Sequence, residues 1–344
     1  ILRDAKSQLA ESGISEVDAE HLLAHVLGLS RMDLHNPVMT ESTLLGIEDK
    51  DVLEEQFYDL LDRRLNFEPL QYLTGTAGFR YLNIEVGPGV LVPRPESELL
   101  VEAVLQHIEN LPAPVSVIDL GAGSGALSLA IATEAPTTRV IAVEKSPEAL
   151  VWLKKNVSVI AENVRVVEGD VADVLPGIKC DVVIANPPYV PDSQELPRDV
   201  AGFEPHIALF GGPTGMEIPQ LFITAAARLL KPGGVLVIEH TEEQGAAIGF
   251  AGFELFYKEG RKAKLHKLYL LPSSHGKGTG KALLQEVASR ARAAGQQILT
   301  LNVNKDNQKA IDFYTSQGFV EIYKEVIDIG NGYVMDDAVM ELPL

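Results

Sequence analysis

The stretch best equipped for chemistry is the apolar run Val182-Val183-Ile184-Ala185, which stops abruptly in Asn186-Pro187-Pro188-Tyr189. Small and β-branched residues followed by two prolines predict a buried strand with a frozen exit, because proline fixes φ and cannot donate to a ladder. An Asn is thereby held at a strand's carboxyl end. In an open parallel α/β sheet that edge is where ligands bind. Taken alone, the corner reads equally well as a proline-rich turn with a capping Asn.

Three earlier strand ends shift the balance. Val115–Leu120 predicts a short buried strand, followed at once by Gly121-Ala122-Gly123-Ser124-Gly125 and the helix Ala126–Glu134. Glycines in such a turn let the backbone approach a ligand, and free N–H groups at a helix start welcome a carboxylate. A second strand from Arg139 ends in Glu144, whose carboxylate could accept hydrogen bonds from two ribose hydroxyls. A third ends in Gly169-Asp170, followed by Val171, with an acid suited to an adenine amino group. In series, these ends describe a cofactor with an amino-acid carboxylate, a ribose and an adenine, its reactive atom near Asn186. S-adenosylmethionine fits; a dinucleotide fits less well, because its pyrophosphate prefers a Gly-x-Gly-x-x-Gly turn. A fifth strand, Val235–Ile238, ends in Glu239-His240.

The elements that position these residues follow from periodicity. Residues 1 to about 74 carry helical spacing: Leu2, Ala5, Leu9; Ala19, Leu22, Leu23, Val26, Leu27; Leu53, Phe57, Leu60, Leu61, Leu65. His21, His25 and His35 lack a carboxylate or Cys at ligand spacing and read as plain helix residues. From Gly75 to Val92 the pattern alternates, with Phe79, Tyr81, Ile84 and Val86 among glycines, predicting a β-hairpin linker. Pro93-Arg94-Pro95-Glu96-Ser97-Glu98 is a stiff loop running into a helix, either a solvated helix start or a pocket wall.

Composition narrows the function classes. The 344 residues suffice for two or three domains, and 46% hydrophobic with 22% charged residues is ordinary globular composition. The net charge of −19 with no basic run disfavours a phosphate backbone or an anionic membrane surface as partner. The single Cys180 excludes an intrachain disulfide or a Cys-based zinc site and suits a reducing compartment. With no run of about 18 apolar residues and no signal-peptide core, the expectation is a cytoplasmic protein.

Residues 1 to about 245 resemble the HemK/PrmC family, class I methyltransferases that modify the glutamine of the Gly-Gly-Gln motif of peptide-chain release factors at N5. The resemblance rests on Ala19-Glu20-His21-Leu22-Leu23, Gln71-Tyr72-Leu73-Thr74-Gly75, Pro93-Arg94-Pro95-Glu96, Asp119–Gly125, Asn186–Tyr189 and Phe203-Glu204-Pro205. It implies a helical substrate-recognition domain (1–74), a hairpin linker (75–92) and a Rossmann-like methyltransferase domain (93–245). It also implies that Gly121, Ala122, Gly123, Ser124, Gly125, Glu144, Asp170, Val171 and Asn186 hold the cofactor. Phe79, Arg94, Asn186, Pro187, Pro188 and Tyr189 would face the substrate glutamine, with Asn186, Pro187 and Tyr189 catalytic. The family's second-strand acid is more often Asp, so Glu144 is a variation.

After Glu239-His240 that resemblance ends, and the expected Asp-x-x-Gly-x-x-Arg type signature is absent. Residues from about 246 onward resemble the later half of a GNAT acetyltransferase. Gly276-Lys277-Gly278-Thr279-Gly280 matches its acyl-CoA turn and Leu299–Val303 its splayed strand; Asn307–Tyr314 and Gly318-Phe319 match its next helix. The candidate acyl-CoA residues are therefore Gly276, Gly278, Gly280, Asn307 and Tyr314, the last as proton donor to the leaving thiolate. The first elements of such a domain have no counterpart. The fold class expected is α/β: a helical bundle, a methyltransferase sheet and a partial GNAT-like segment joined near 245–248. Two strands around Lys258–Lys264 are expected to complete the methyltransferase sheet, since an open edge is a hazard. Alternative functions are an acyl-CoA-dependent acetyltransferase, an N6-adenine DNA methyltransferase using the same Asn-Pro-Pro-aromatic corner on a flipped base, and a fusion whose C-terminal piece only packs.

Overall fold

The computed structural model describes residues 1–46, 49–109, 111–241, 250–255, 257, 261–269, 279–330 and 333–344. The chain divides into two units, Ile1–Leu230 with Val235–Glu239, and Lys231–Gly234 with His240–Leu344.

The first unit opens with helices α1 (Leu2–Glu11), α2 (Val17–Leu27), α3 (Pro37–Leu45), α4 (Lys50–Leu65) and α5 (Leu70–Thr74). The expected apolar faces converge, with Ala5, Leu9, Ala19, Leu22, Phe57, Leu60 and Leu61 burying one another. Gly28 ends α2 in the left-handed conformation that favours glycine. The histidine-rich stretch contributes one ion-pair cluster: buried Glu20 takes Lys6 at 2.6 Å and Arg31 and His35 at 3.4 Å. The linker hairpin is short, β1 (Thr76–Phe79) against β2 (Leu82–Glu85), with Arg80 at the turn gripping Glu134 at 2.5 Å.

The sheet that follows is parallel throughout, in the order β5-β4-β3-β6-β7, from β3 (Ser116–Leu120), β4 (Arg139–Glu144), β5 (Arg165–Glu168), β6 (Cys180–Ala185) and β7 (Leu230–Ile238). Its strands are near-continuous apolar runs because helices cover both faces. Lys231-Pro232-Gly233-Gly234, whose Pro and Gly suit a turn, is a bulge inside β7: Leu230 faces Cys180 and Val235 already faces Val182. Strand order reverses between β3 and β6, so the crevice outside their carboxyl ends is the topological switch point. Two side-chain clusters fill the faces, one around Phe79, Val101, Leu129 and Leu153, the other around Ile118, Val183, Phe222 and Leu229.

The second unit is a separate five-stranded sheet, β11-β12-β10-β9-β8, built from β8 (Phe250–Glu254), β9 (Lys262–Tyr269), β10 (Ile298–Asn304), β11 (Val320–Gly330) and β12 (Tyr333–Pro343). Helix Thr279–Ala293 lays Leu284, Val287, Ala288 and Ala291 against Leu265, Leu299, Leu301 and Phe319. Here one expectation is overturned. β8 and β9 pair with each other and β9 with β10, and among the described residues neither extends the sheet that ends in β7. The reason lies in β10, whose buried Leu299 and Leu301 complete a core with β9's Ala263 and Leu265. β9 and β10 pair in parallel only over Lys262–Leu265 and Ile298–Leu301, and beyond that point the two strands run on unpaired to each other. The expected junction near 245–248 lies outside the described residues, as do Gly276 and Gly278. No described helix is long and apolar enough to cross a membrane.

Candidate active site

Leu120 pairs with Ala185 across β3 and β6, so Gly121 and Asn186 leave neighbouring strands at the same level. Sheet register alone thus sets the glycine turn beside the proline corner. Between them lies a cavity of about 200 Å³, whose lining includes Gly121, Ala122, Gly123, Ser124, Glu144, Val171, Asn186 and Pro188, with Phe79 and Arg94. Phe222, Ile218, Ile207 and Phe210 supply apolar wall.

The glycine turn is held differently from its expected reading. Gly121 and Ala122 donate their N–H groups to Val143 O at 2.9 Å, and Gly123 donates to Glu144 Oε2 at 2.8 Å, so three amides expected to be free for a ligand are taken. Gly125 does not line the cavity; it starts the helix Ala126–Glu134 at φ +91°, and a Cβ there would lie 2.7 Å from Leu153. Glu144 also accepts from the N–H groups of Lys145 and Ser146 on Oε1, at 2.8 Å each. Its carboxylate therefore locks two turns together at the cavity wall; Oε1 is filled by its two bonds, and Oε2, with one, keeps a lone-pair site for a ligand hydroxyl. Asp170 stands outside the lining between Gly169 and Val171, which belong to it. Its carboxylate accepts from Ala172 N at 3.0 Å and pairs with Lys145 at 3.4 Å, and these two, the backbone bond first, hold its pKa below the usual range.

Behind the turn lies Asp119, fully buried at the end of β3. Ser128 Oγ donates to its Oδ2, while Oδ1 has no partner among the described residues. Burial, opposed by that hydroxyl and assisted by nearby Glu144, pushes its carboxyl up to about 7.

The proline corner is held by side chains. Asn186 Nδ2 donates to Ser97 Oγ at 3.0 Å; Ser97 Oγ donates to Glu239 Oε2 at 2.5 Å; Tyr189 donates its hydroxyl to Glu239 Oε1 at 2.9 Å. Pro187 and Tyr189 lie outside the cavity lining, so Tyr189 braces the corner from behind. Burial first, and then Glu239, hold its phenol above the usual range. Arg94 reaches the cavity but is tied at 2.5 Å to buried Glu204, which also takes Val92 N at 3.1 Å. Glu204 and Glu239 are site residues that strand-end reasoning passed over; the signal was there in Phe203-Glu204-Pro205 and in Glu239 as a fifth strand end. Gly211 was also passed over: a Cβ would sit 2.6 Å from Pro188 O and 2.9 Å from Tyr189 Cα, so only glycine lets its segment lie on the corner.

In the second unit the other candidates do different work. Asn307 caps helix Gln308–Ser316 by accepting from Ala310 N at 3.2 Å, and Tyr314 stacks edge-on between Phe313 and Phe319. Burial raises the Tyr314 phenol. Gly280 is buried in the first turn of helix Thr279–Ala293.

A doubly wound parallel sheet with a glycine turn, a second-strand acid and an Asn-Pro-Pro-Tyr corner at its switch point defines a class I methyltransferase, whose cofactor is S-adenosylmethionine. Comparison with known proteins narrows the class. The family models for the PrmC N-terminal domain and the Methyltransferase small domain match residues 1–75 and 95–201, and that for the Acetyltransferase (GNAT) family matches 209–319. This last match starts early: it takes in the helix Glu217–Leu229 and β7 (Leu230–Ile238), the edge strand of the methyltransferase sheet. The release factor glutamine methyltransferase of Bifidobacterium longum is 42% identical over 71% of this chain and 87% of its own length. Those of Mycolicibacterium smegmatis and Escherichia coli are 40% and 35% identical, over 70% and 72% of this chain and 84% and 87% of their own. A solved N-acetyltransferase from Thermoplasma acidophilum, in complex with coenzyme A, is 30% identical over 28% of this chain and 54% of its own, with a TM-score of 0.22. The chain belongs to the release factor glutamine methyltransferase family. The GNAT match makes acetyl-CoA a second candidate ligand, confined to the C-terminal segment.

Proposed function

We propose that the first unit methylates the side-chain amide nitrogen of the Gly-Gly-Gln glutamine in a peptide-chain release factor. The observation that carries this reading is the polarity of Asn186: its Nδ2 is engaged by Ser97, and Oδ1 remains to accept an N–H. The residues present suit S-adenosylmethionine. Glu144 offers a carboxylate at the wall, the Gly121–Gly123 backbone comes close, and Val171, Ile218 and Phe222 give apolar surface for a purine. When bound, that cofactor supplies an electrophilic methyl group on a sulfonium.

An amide nitrogen is a poor nucleophile, because its lone pair is delocalised into the carbonyl. The protein's task is therefore alignment and exclusion of water. Asn186 Oδ1 accepts an amide N–H bond, which orients the nitrogen and favours the positive charge that develops on it. Pro187 and Pro188 keep that receptor rigid. No general base is needed before transfer, since the amide proton becomes acidic only once the nitrogen is methylated. Phe79 and the Arg94–Glu204 pair shape the entrance for the acceptor segment. The helical domain at residues 1–74 serves to recognise the release factor, and a reducing cytoplasm suits a buried Cys180 that forms no disulfide.

The test is a labelled-methyl assay with a release factor and with its Gly-Gly-Gln→Gly-Gly-Ala version. Label is expected on the first and absent from the second; equal labelling of both, or of neither, overturns the assignment.

A further inference from the structure

We infer that Glu239, acting through Ser97, is a positioning residue that fixes which end of the Asn186 amide faces the cleft, and so selects an amide acceptor over a carboxylate. This deepens the glutamine reading above and rests on it. Glu239 follows β7, the strand beside β6, and its own N–H donates to Ala185 O at 3.0 Å, one residue before Asn186. Its carboxylate is an acceptor only. Two hydroxyls direct their hydrogens to it, Ser97 on Oε2 at 2.5 Å and Tyr189 on Oε1 at 2.9 Å.

A serine hydroxyl has one hydrogen. With that hydrogen committed to Glu239, Ser97 can offer Asn186 nothing but a lone pair, and the end of the Asn186 amide that meets it must be the NH2. The 3.0 Å contact from Nδ2 to Ser97 Oγ obeys this order. The sense of the whole chain is thus dictated by a carboxylate at its far end. Asn186 Oδ1 is left as the end available to a ligand in the cavity that Asn186 and Ser97 both line.

The neighbouring charges do not undo this. Of the two cations that line the cavity, Arg94 is held at 2.5 Å by Glu204 and Lys145 pairs with Asp170 at 3.4 Å, and Glu144 is acceptor-only as well. A glutamine side chain brings N–H donors to such an edge; a glutamate brings oxygen against oxygen and is rejected. One carboxylate therefore serves two ends of the corner, orienting Asn186 through Ser97 and bracing Tyr189 directly.

The experiment uses the full chain with a release factor carrying either Gly-Gly-Gln or Gly-Gly-Glu, measuring binding of both, turnover of the first, and S-adenosylmethionine affinity. Glu239→Gln keeps the size but introduces a donor, so the Ser97 hydrogen loses its forced destination and Asn186 is free to turn over. Turnover is expected to fall about 100-fold, the scale of a misplaced reacting group, with cofactor affinity within about twofold and the preference for Gln over Glu reduced about tenfold or more. Ser97→Ala removes the relay and should do the same. Tyr189→Phe removes the other donor to Glu239 and should lower turnover while leaving the Gln/Glu preference as in the wild type. A preference unmoved in both Glu239→Gln and Ser97→Ala overturns the inference even if activity is lost, as does a wild-type preference near one. Failure of the wild type to methylate Gly-Gly-Gln rejects the glutamine reading itself, a separate outcome.

Discussion

In sequence, each of the two units carries a glycine-rich stretch ahead of a helix and, later, an Asn followed by a Tyr. In the first sheet the register Leu120 to Ala185 brings the Gly121 turn and Asn186 to one edge, and Asn186 is left with an oxygen to offer. In the second, Asn307 satisfies the start of its own helix and Tyr314 is packed among phenylalanines. The residue types are alike; their surroundings are opposite. A polar side chain acts on a ligand when the end it leaves open belongs to a cavity wall, and Asn186 lines one in the first unit.

The sharpest way to break that comparison is Asn186→Ala. We expect turnover to fall by about 100- to 1,000-fold, as when a positioned hydrogen-bonding group is lost at a developing charge. S-adenosylmethionine should still raise the melting temperature by mass action. Radiolabel transfer and thermal shift measured on one preparation separate the two, and an unchanged rate would refute the role of Asn186.

Next in size is Gly211→Ala. Its Cβ would press on Pro188 O, Tyr189 Cα and Gly215 O, all backbone atoms that cannot swing aside. Overpacking of this kind costs about 1–3 kcal/mol. The proline corner must shift, so denaturant midpoint and turnover should both drop; a wild-type midpoint would show the corner to be more pliant than two prolines suggest.

Asp119 gives a smaller, pH-dependent effect. Its carboxyl is raised in the folded chain to about 7 from an ordinary value of 3.8. The native state thus holds a proton that the unfolded state has released. Its contribution is fully present below about pH 4 and is lost as pH rises through about 7, with a slope of at most about 1.4 kcal/mol per pH unit. Asp119→Asn cannot ionise, so its melting temperature relative to wild type should rise between pH 5 and pH 8. A difference that stays constant with pH would show that Asp119 keeps its charge.

The parts legible in the sequence were those a single strand or turn encodes. Asn-Pro-Pro-Tyr, the glycine turn and Glu144 each announce themselves locally, because proline, glycine and an acid at a strand end have few other uses. The parts that escaped depend on chain segments far apart. Ser97 meets Glu239 across 142 positions and Arg94 meets Glu204 across 110, and neither pairing leaves a trace in local spacing. Helix α3 announces itself poorly, because a proline can end one helix or start the next, and Pro37 here starts one. The strands after residue 250 were recognised as strands but given to the wrong sheet, since an alternating pattern specifies a buried face without specifying its partner. β10 decided the matter through Leu299 and Leu301, which the methyltransferase sheet has no need of.

The smallest expected effect sharpens the comparison from the other side. Asn307→Ala removes the hydrogen bond to Ala310 N and should cost the second sheet about 1 kcal/mol, the usual loss for a helix cap. If Asn307 is only a cap, methyl transfer should be unchanged and acetyl-CoA should stabilise wild type and variant equally, or neither. If acetyl-CoA raises the wild-type melting temperature and the variant loses that shift beyond its own destabilisation, Asn307 is engaged by a ligand, and the contrast between the two Asn residues fails. The β9–β10 pairing, which stops at Leu265 and Leu301, gives the reason to run it: beyond those residues the backbone of both strands is open to a partner other than each other.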